Sequence, residues 1–494
     1  MKKNKSTTRR EFFVRTSCAG ISLAALSAGV RKLGLVNLLA QDALSRDAIA
    51  APTNYKALVC IFMAGGNDSN NMVVPNDSSP TGNYSKYFAI RNPAGLAIPQ
   101  ANLLPVNTSA IAPYGLHPNL GTPFPAAPAT PYANLQSLYN SGKAAVVANV
   151  GPLVQPLTKA QYKSGAPRPY QLFSHSDQVR QYMTDNSFTS IFNGWGGRLA
   201  DRLVSLNNGS GFPLVTSVAG SAVFGVGLTT RPLSLGTGAL NQVLVLSGFN
   251  ATKPEDVARK NAYNILRTID RQVQMIQSTS DITQQALDIS ASLTTDPTLT
   301  TVFPNTGIGN QLKQVAKVMK LNQTSAAMGL NRQIFFTQIG GFDTHQNQVT
   351  SQGNLMTQLG QALAAFHQAT VELGIESQVT TFTMSDFSRT LAPSGIGAGV
   401  VGSDHAWGAH HFVMGGSVLG GDFYGIPGGT GTIWPEVKLG GADDVDTRGR
   451  WLPSTPLDSY AATLAKWFGL PASDMSIVFP LISHFPTTDL GFMM

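Results

Sequence analysis

Cysteine is nearly absent from this 494-residue sequence, which contains only Cys18 and Cys60. Two cysteines cannot supply the paired ligands of a structural zinc site or a framework of several disulfides. The sequence also lacks the motifs G-x-S-x-G and H-E-x-x-H. Their absence excludes the nucleophile elbow of the α/β-hydrolases and the helical zinc site of many metalloproteases.

Charged residues are also scarce. They make up 12% of the chain, against 43% hydrophobic residues and 49 glycines, which is typical of a globular protein with many loops. The formal net charge of +7 comes mainly from residues 1–50, which hold nine of the 34 Lys/Arg and three of the 27 Asp/Glu. The other residues hold 25 basic and 24 acidic side chains, a net charge of +1. We therefore expect no nucleic-acid partner, since such binding needs a clustered basic surface.

Residues 1–50 have the features of a twin-arginine export signal. Arg9 and Arg10 stand together ahead of the apolar run Cys18–Val30. At 13 residues this run is shorter than the roughly 20 residues that a transmembrane helix needs. We expect the twin-arginine export machinery to recognise the chain, and cleavage near Ala50 to leave no stable membrane span, with an uncleaved anchor as the alternative. The mature protein is then expected in the periplasm, outside the cell or at the cell surface.

Short apolar runs separated by helical patterns indicate an α/β fold for residues 51–494. Runs of this length without alternation are typical of strands buried on both faces. They occur at Ala57–Ala64, Ala144–Val150, Pro213–Val218, Arg332–Ile339 and Val379–Met384. Helical patterns occur at Ala133–Ser141, Gly194–Leu206, Gln311–Leu321, Asn354–Leu373 and Pro456–Phe468. Strand, helix and strand from Gln333 to Asp386 make a complete crossover, which predicts a mainly parallel sheet flanked by helices.

Two further segments carry structural predictions. Lys253–Leu293 is polar and helical, and it is predicted to be a helical insertion that serves as a cap or binds a partner. Cys60 lies inside the apolar run ALVCIFMAG, so we expect a buried and inert thiol there.

Acidic residues follow three of the predicted strands. Asp68 follows the first strand, Asp343 and His345 follow the fourth, and Asp386 follows the fifth. Ligands bind beyond the carboxyl ends of parallel strands, and carboxylates that meet there repel one another unless protons or a cation relieve them. Together with His405 they predict a divalent metal of the zinc or manganese class rather than calcium. The alternative is that each aspartate caps a helix or forms an Asx turn.

A nucleophile is predicted in the segment FSHSDQVRQY, where Ser176 lies beside Asp177. A serine next to a metal can be activated by coordination instead of by a histidine base. The alternative is a polar loop that enters a helix, with a serine as its cap.

Five motifs in this order resemble one secreted bacterial family, called domain of unknown function 1501. They are FMAGGNDSNNMVVP, FSHSDQ, GGFDTHQNQ, TMSDFSRT and GSDHAWGAHHFVMGG. That family resembles a distant branch of the alkaline phosphatase and sulfatase superfamily, so the resemblance implies an alkaline phosphatase-like α/β core with a two-metal site.

The resemblance also implies roles for individual residues. The implied metal ligands are Asp68, Asp343, His345, Asp386 and His405, with His411 as the alternative to His405. Ser176 or Ser174 takes the place of the nucleophile, and Phe387 stands where a histidine ligand of the second metal is usual.

Two functions remain open on this basis. The first is a metal-dependent hydrolase of phosphate or sulfate esters that acts on an extracellular or cell-surface substrate, with Arg389 either bound to a substrate oxygen or in a salt bridge at a helix start. The second is a non-catalytic secreted protein that keeps the fold, binds a surface polymer or another exported protein, and needs no cofactor beyond a structural metal.

Changing Arg9 and Arg10 to lysine is expected to leave the precursor in the cytoplasm, because the export receptor reads the arginine pair. Cell fractionation with an antibody to the mature protein measures this. Export of the wild-type chain in a strain that lacks twin-arginine transport contradicts the prediction.

Overall fold

The computed structural model describes residues 54–494, except for 109–112, 126–128, 208–209, 243–252, 326–327, 397–398 and several positions between 270 and 294. The predicted export signal lies outside the described residues. The chain divides into two compact units, of which the larger comprises residues 50–238 and 297–494.

The described residues of the larger unit contain twelve strands. In chain order they are β1 (Lys56–Met63), β2 (Val73–Pro75), β3 (Leu104–Val106), β4 (Tyr114–Leu116), β5 (Ala144–Gly151), β6 (Val215–Ser217), β7 (Leu233–Ser234), β8 (Arg332–Ile339), β9 (Val379–Ser385), β10 (Ala409–Met414), β11 (Phe423–Tyr424) and β12 (Thr455–Pro456). Nine of them form one sheet in the order β11-β5-β10-β9-β1-β8-β6-β7, with β12 beside β5. The strands β2, β4 and β3 form a small antiparallel sheet.

The main sheet is mostly parallel, as the sequence predicts. β1 lies between β8 and β9 and is parallel to both of them. The register pairs Met63 with Ile339 on one side and with Ser385 on the other, so the three strands end at one edge. The prediction that these strands are neighbours whose loops share an edge is confirmed. β10 runs antiparallel to both β5 and β9, and it was not among the strands predicted from the sequence.

Helices of the larger unit flank this sheet. Those described are α1 (Ser69–Met72), α2 (Asn83–Arg91), α3 (Leu135–Asn140), α4 (Lys159–Lys163), α5 (His175–Thr184), α6 (Trp195–Leu203), α8 (Gly307–Thr324), α9 (Gln348–Glu372), α10 (Leu457–Phe468) and α11 (Met475–Val478), whereas α7 (Pro254–Thr268) belongs to the smaller unit. α8 contacts β8 and packs against α9, while α6 contacts β6 and β8 and α10 contacts β1 and β5. None of the described helices is both long and apolar enough to cross a membrane.

The central strands are buried on both faces, which explains their unbroken apolar sequences. On β1, Leu58, Cys60 and Phe62 join a hydrophobic cluster with Trp195 of α6 and Tyr460 of α10. The thiol of Cys60 is free and fully buried, and burial raises its pKa well above the usual value. The prediction of a buried cysteine is confirmed, and the raised pKa agrees with an unreactive thiol.

The smaller unit includes residues 239–296. Its longest described helix is α7, which lies within the segment predicted to be a helical insertion. Pro254 stands at the start of α7, Glu255 and Asp256 lie in its first turn, and Arg267 lies in its last. Acidic residues near the N-terminus and a basic residue near the C-terminus favour the helix dipole.

The loop after β1 approaches the loop after β8 so closely that only glycine fits at position 65. Gly65 has φ +113°, and a Cβ atom there would lie 2.4 Å from the backbone nitrogen of Asp343. Gly65→Ala is therefore expected to destabilise the fold by about 2 kcal/mol or more, from strain and the clash together. Gly340→Ala is the control, because nothing lies within 4 Å of its Cβ position. Urea denaturation measures both, and equal stabilities contradict the close approach.

Candidate metal centre

Arg389 holds together the loops at the carboxyl edge of the sheet. Its Nε donates to the carbonyl of Gly66 (3.0 Å), Nη1 to that of Ser403 (2.8 Å) and Nη2 to that of Gly65 (2.7 Å). Nη2 also contacts the Asp343 carboxylate. The guanidinium is fully buried with each nitrogen engaged. The suggestion that Arg389 binds a substrate oxygen is therefore wrong, and its role is to position the loops.

His175 lies at the centre of the site, although the segment FSHSDQVRQY predicted only a serine nucleophile and no metal ligand. It is the first residue of α5, and its Nδ1 lies 2.7 Å from Oδ2 of Asp386. The other oxygen of Asp386 accepts a hydrogen bond from the Gly65 amide (3.0 Å). The His175 Nε2 faces Nε2 of His405 at 3.1 Å and Oδ1 of Asp343 at 3.5 Å.

His405 and His345 are oriented in the same manner. Nδ1 of His405 donates to the carbonyl of Phe173 (2.8 Å), and Nδ1 of His345 faces Oδ1 of Asp404 (3.4 Å). The two Nε2 atoms lie 3.0 Å apart, and they are 3.5 Å (His405) and 3.1 Å (His345) from Oδ1 of Asp343. In all three histidines, Nδ1 therefore faces an oxygen acceptor and Nε2 points inward.

This arrangement leaves lone pairs facing one another. An oxygen acceptor fixes the hydrogen of a neutral imidazole on Nδ1, so the Nε2 atoms of His175 and His405 both present lone pairs. A proton or a cation must lie between them. The hydrogen bond with Asp386 raises the pKa of His175, whereas burial, with the charges of His175 and Arg389, lowers the pKa of His405. Of the two rings, His175 is thus the one whose surroundings favour an added proton.

A single metal ion fits the same position. Nε2 of His175, Nε2 of His405 and a carboxylate oxygen of Asp343 lie within 4.8 Å of one another, which makes them a candidate metal-binding group. Ligands about 2.0–2.1 Å from a tetrahedral zinc ion are separated by roughly 3.3–3.4 Å. The separations in this group are 3.1, 3.5 and 3.5 Å. His345 is outside this group of three but contacts two of its members.

The Asp343 carboxylate is suited to this position by its charge. Partial burial raises its pKa, but the hydrogen bond and the charge of Arg389 outweigh that effect and leave the pKa lowered. The carboxylate therefore stays ionised near neutral pH. Its side chain is 49% exposed and that of His345 is 44% exposed, so the cluster opens to solvent on this side.

Phe387 closes the opposite side. Its ring is fully buried, and its centroid lies 4.8 Å from that of His175 and 4.7 Å from that of His405. Gly66 makes room for it, since a Cβ atom there would lie 2.4 Å from the Phe387 ring. Phe387 therefore packs against two of the three candidate ligands and offers no ligand atom itself.

The predicted ligands divide into two groups. Asp343, His345, Asp386 and His405 are brought together, with Asp386 acting through His175. Asp68 has no described contact with the histidines. Its carboxylate is fully buried and forms a bidentate salt bridge with Arg91 of α2 (2.6 and 3.1 Å). Gln348 donates to it as well, and it caps α1, so its oxygens are already occupied.

The serines of FSHSDQ bind a neighbouring carboxylate. Oγ of Ser174 donates to Oδ2 of Asp177 (2.6 Å), and the exposed Ser176 hydroxyl lies 3.3 Å from the same oxygen. No described hydrogen bond joins either hydroxyl to the histidine cluster. Ser174 is the N-cap residue just before α5, and its side chain makes no capping hydrogen bond.

His411 is a core residue and not an alternative to His405. It is buried on β10 and stacks on Tyr460, while its neighbour His410 stacks on Trp434 at 3.8 Å. Burial lowers the pKa of each histidine to about 3, so both are neutral.

Solved structures overlap this chain only weakly. The PsFucS1 sulfatase from Pseudoalteromonas sp. gives a TM-score of 0.31 at 9% identity, covering 90% of this chain and 71% of that one. The lipoteichoic acid synthase LtaP from Listeria monocytogenes gives 0.23 at 8%, covering 68% and 58%. A mutant of the alkaline phosphatase PafA gives 0.24 at 12%, covering 70% and 64%. These TM-scores are too low to carry an argument about the activity of this chain.

Sequence comparison gives a firmer result. No curated protein matches the chain. A family model described as "Protein of unknown function (DUF1501)" matches residues 55–470. The match covers most of the chain and confirms the resemblance seen in its motifs: the protein belongs to the DUF1501 family.

Proposed function

We propose that this protein is a metal-dependent hydrolase of phosphate or sulfate esters, with one divalent ion of the zinc or manganese class bound by His175, Asp343 and His405. One observation carries the proposal. Two imidazoles whose Nδ1 atoms are held by acceptors direct their Nε2 atoms at each other and at an ionised carboxylate. Such a mixed nitrogen and oxygen set is typical of zinc and manganese sites.

The surrounding residues support ester chemistry at such a centre. A bound divalent ion acts as a Lewis acid that polarises a phosphoryl or sulfuryl oxygen. Asp386 and the Phe173 carbonyl fix the orientation of the two histidines, as acceptors behind metal ligands usually do. The exposed faces of Asp343 and His345 mark the side from which a substrate approaches.

We infer a single metal because the neighbouring carboxylates have other partners. Asp68 is bound by Arg91, and Asp386 is bound by His175 and the Gly65 amide. Asp404 faces His345 and is held by Arg448 (2.6 Å). Within the described part of the chain, His175, Asp343 and His405 form the one group of possible ligands whose atoms lie close enough together to hold a metal ion. The two-metal site implied by the resemblance is therefore not part of this proposal.

The predicted export signal bears on where the proposed activity operates. We propose that the twin-arginine machinery exports the chain and that its ester substrate lies in the periplasm, outside the cell or on the cell surface. Transport in the folded state suits a protein whose ligands come from three distant segments, since the metal can be bound before export. No described contact places a serine nucleophile at the cluster. The non-catalytic function is therefore the alternative that experiments must exclude.

His175→Ala and His405→Ala are each expected to weaken metal binding by more than about 100-fold. Loss of a residue that only hydrogen-bonds a ligand already lowers metal affinity by about 10–100-fold, and these variants remove the ligand itself. His484→Gln is the matched control, as that exposed histidine binds the Val154 carbonyl (2.7 Å) and not the cluster. Metal content by mass spectrometry, and melting temperature with and without chelator, measure binding. A wild-type protein that holds no metal and melts identically with chelator contradicts the proposal.

Hydrolysis is measured separately with p-nitrophenyl phosphate and p-nitrophenyl sulfate. Activity that falls with the two histidine variants and survives in His484→Gln supports the hydrolase. Ser176→Ala tests the predicted nucleophile, since retained activity means that water attacks instead of the serine. A protein that binds metal but hydrolyses neither ester contradicts the hydrolase proposal and supports the non-catalytic function.

A further inference from the structure

Two buried glutamines lie one turn apart at the start of α9, and both bind Asp68. Gln348 is the first residue of the helix and is fully buried, and its Nε2 donates to Oδ2 of Asp68 (2.5 Å). Gln352 is buried as well, and its Nε2 donates to the Asp68 carbonyl (2.7 Å). Because residues four apart share one face of a helix, this face of α9 fixes the loop that follows β1.

The Asp68 carboxylate has a fixed position because Arg91 binds it in the interior. The guanidinium makes five hydrogen bonds, two to the Asp68 carboxylate and one each to Asn71 (2.5 Å), the Thr390 carbonyl (2.9 Å) and the Leu391 carbonyl (3.0 Å). Neither side chain of the salt bridge is exposed to solvent. A buried ion pair contributes little net stability after desolvation, whereas its geometry can specify one arrangement of the chain. This salt bridge is therefore suited to setting a position.

The other end of the Gln348 amide holds the segment that carries His405. Its Oε1 accepts a hydrogen bond from the Ser403 hydroxyl (2.5 Å), and its backbone amide donates to the carbonyl of Val401 (3.2 Å). A carboxylate only accepts hydrogen bonds, so Asp68 fixes which end of the side-chain amide faces Ser403. Ser403 is fully buried and stands two residues before His405. One amide group thus links the salt bridge to the histidine segment.

Ser403 also contacts the loop that carries Asp343. Its backbone amide donates to the carbonyl of Thr344 (3.3 Å), the residue that directly follows Asp343. The two segments pass so closely that a Cβ atom at Gly402 would lie 2.3 Å from the Thr344 carbonyl oxygen. A displacement of Ser403 therefore changes the position of His405 relative to Asp343, and these two residues are candidate ligands of the same ion.

We propose that Gln348 is a positioning residue of the metal centre. Its amide holds Ser403 against the buried salt bridge, and Ser403 sets the backbone from which the His405 ring reaches the ring of His175. No described hydrogen bond joins the Gln348 side chain to any of the three candidate ligands, so its effect reaches them through Ser403. The inference rests on the proposed metal centre, because it concerns the geometry of the ligands of that centre.

Gln348→Met removes both side-chain hydrogen bonds and keeps the length of the side chain. The zinc affinity of the full mature chain, measured by competition with a chelator, is expected to fall about tenfold, the lower end of the range for residues that hold a metal ligand. The visible spectrum of the cobalt(II)-loaded chain is expected to change as well, because the ligands surround the ion in a different geometry. Gln314→Met is the control, since Gln314 is a buried glutamine on α8 whose Nε2 binds the Gly238 carbonyl (3.0 Å).

A second variant tests the link between the two side chains. Ser403→Ala removes the same hydrogen bond from its other side, so it is expected to weaken zinc binding by a similar factor. The double variant Gln348→Met/Ser403→Ala is expected to bind zinc about as weakly as either single variant, because residues that act through one contact are not additive. Losses that multiply to about 100-fold overturn the link. Ser403→Ala alone carries the test if Gln348→Met does not fold.

The outcomes separate this inference from the proposed metal centre. If Gln348→Met lowers the melting temperature but leaves zinc affinity and the cobalt spectrum unchanged, the glutamine only stabilises the fold, and the metal centre stands without it. An equal loss of zinc affinity in Gln314→Met overturns the inference too, since any buried glutamine then has the same effect. A wild-type chain that binds no zinc overturns both the metal centre and the positioning role.

Discussion

The candidate site depends on the contacts of one buried side chain, the Arg389 guanidinium. Three parallel strands bring their carboxyl ends together, and the loops that follow would otherwise present several inward-facing carbonyls with no donor. The Arg389 guanidinium supplies donors to three of these carbonyls and a counter-charge to Asp343. Since a buried carbonyl without a partner is costly, the loops are held where the guanidinium can reach all of them. Asp343 is thereby ionised and fixed at the point where the histidines meet.

A second arginine, Arg91, holds the acidic residue Asp68 in a buried salt bridge away from the histidine cluster. Arg91 binds Asp68 in the interior, so that the first strand's aspartate stabilises the fold instead of the site. The negative charge left at the centre is that of Asp343, with Asp386 placed behind His175. One carboxylate and two imidazoles are a balanced set for one divalent ion, while Phe387 occupies the remaining space as an apolar wall.

The sequence could predict the strands and their shared edge because each strand is a short run buried on both faces, and parallel strands expose their carboxyl ends together. Asp343 and Asp386 were found from that rule alone. His175 was not, since it belongs to a helix start rather than a strand end, although FSHSDQ was among the motifs noted. The role of Asp68 depends on Arg91, which only the tertiary fold brings near. β10 was missed because His410 and His411 appear polar in sequence, while in the core they stack on Trp434 and Tyr460.

The central claim is that one divalent ion is bound by His175, Asp343 and His405, and anomalous diffraction tests it most directly. Crystals of the mature protein grown with zinc, measured on both sides of the zinc absorption edge, locate each bound ion. The account predicts one strong peak between Nε2 of His175, Nε2 of His405 and a carboxylate oxygen of Asp343, at about 2.0–2.2 Å from each. A structure with no peak at this position, or with zinc bound at Asp68 in place of Arg91, contradicts it.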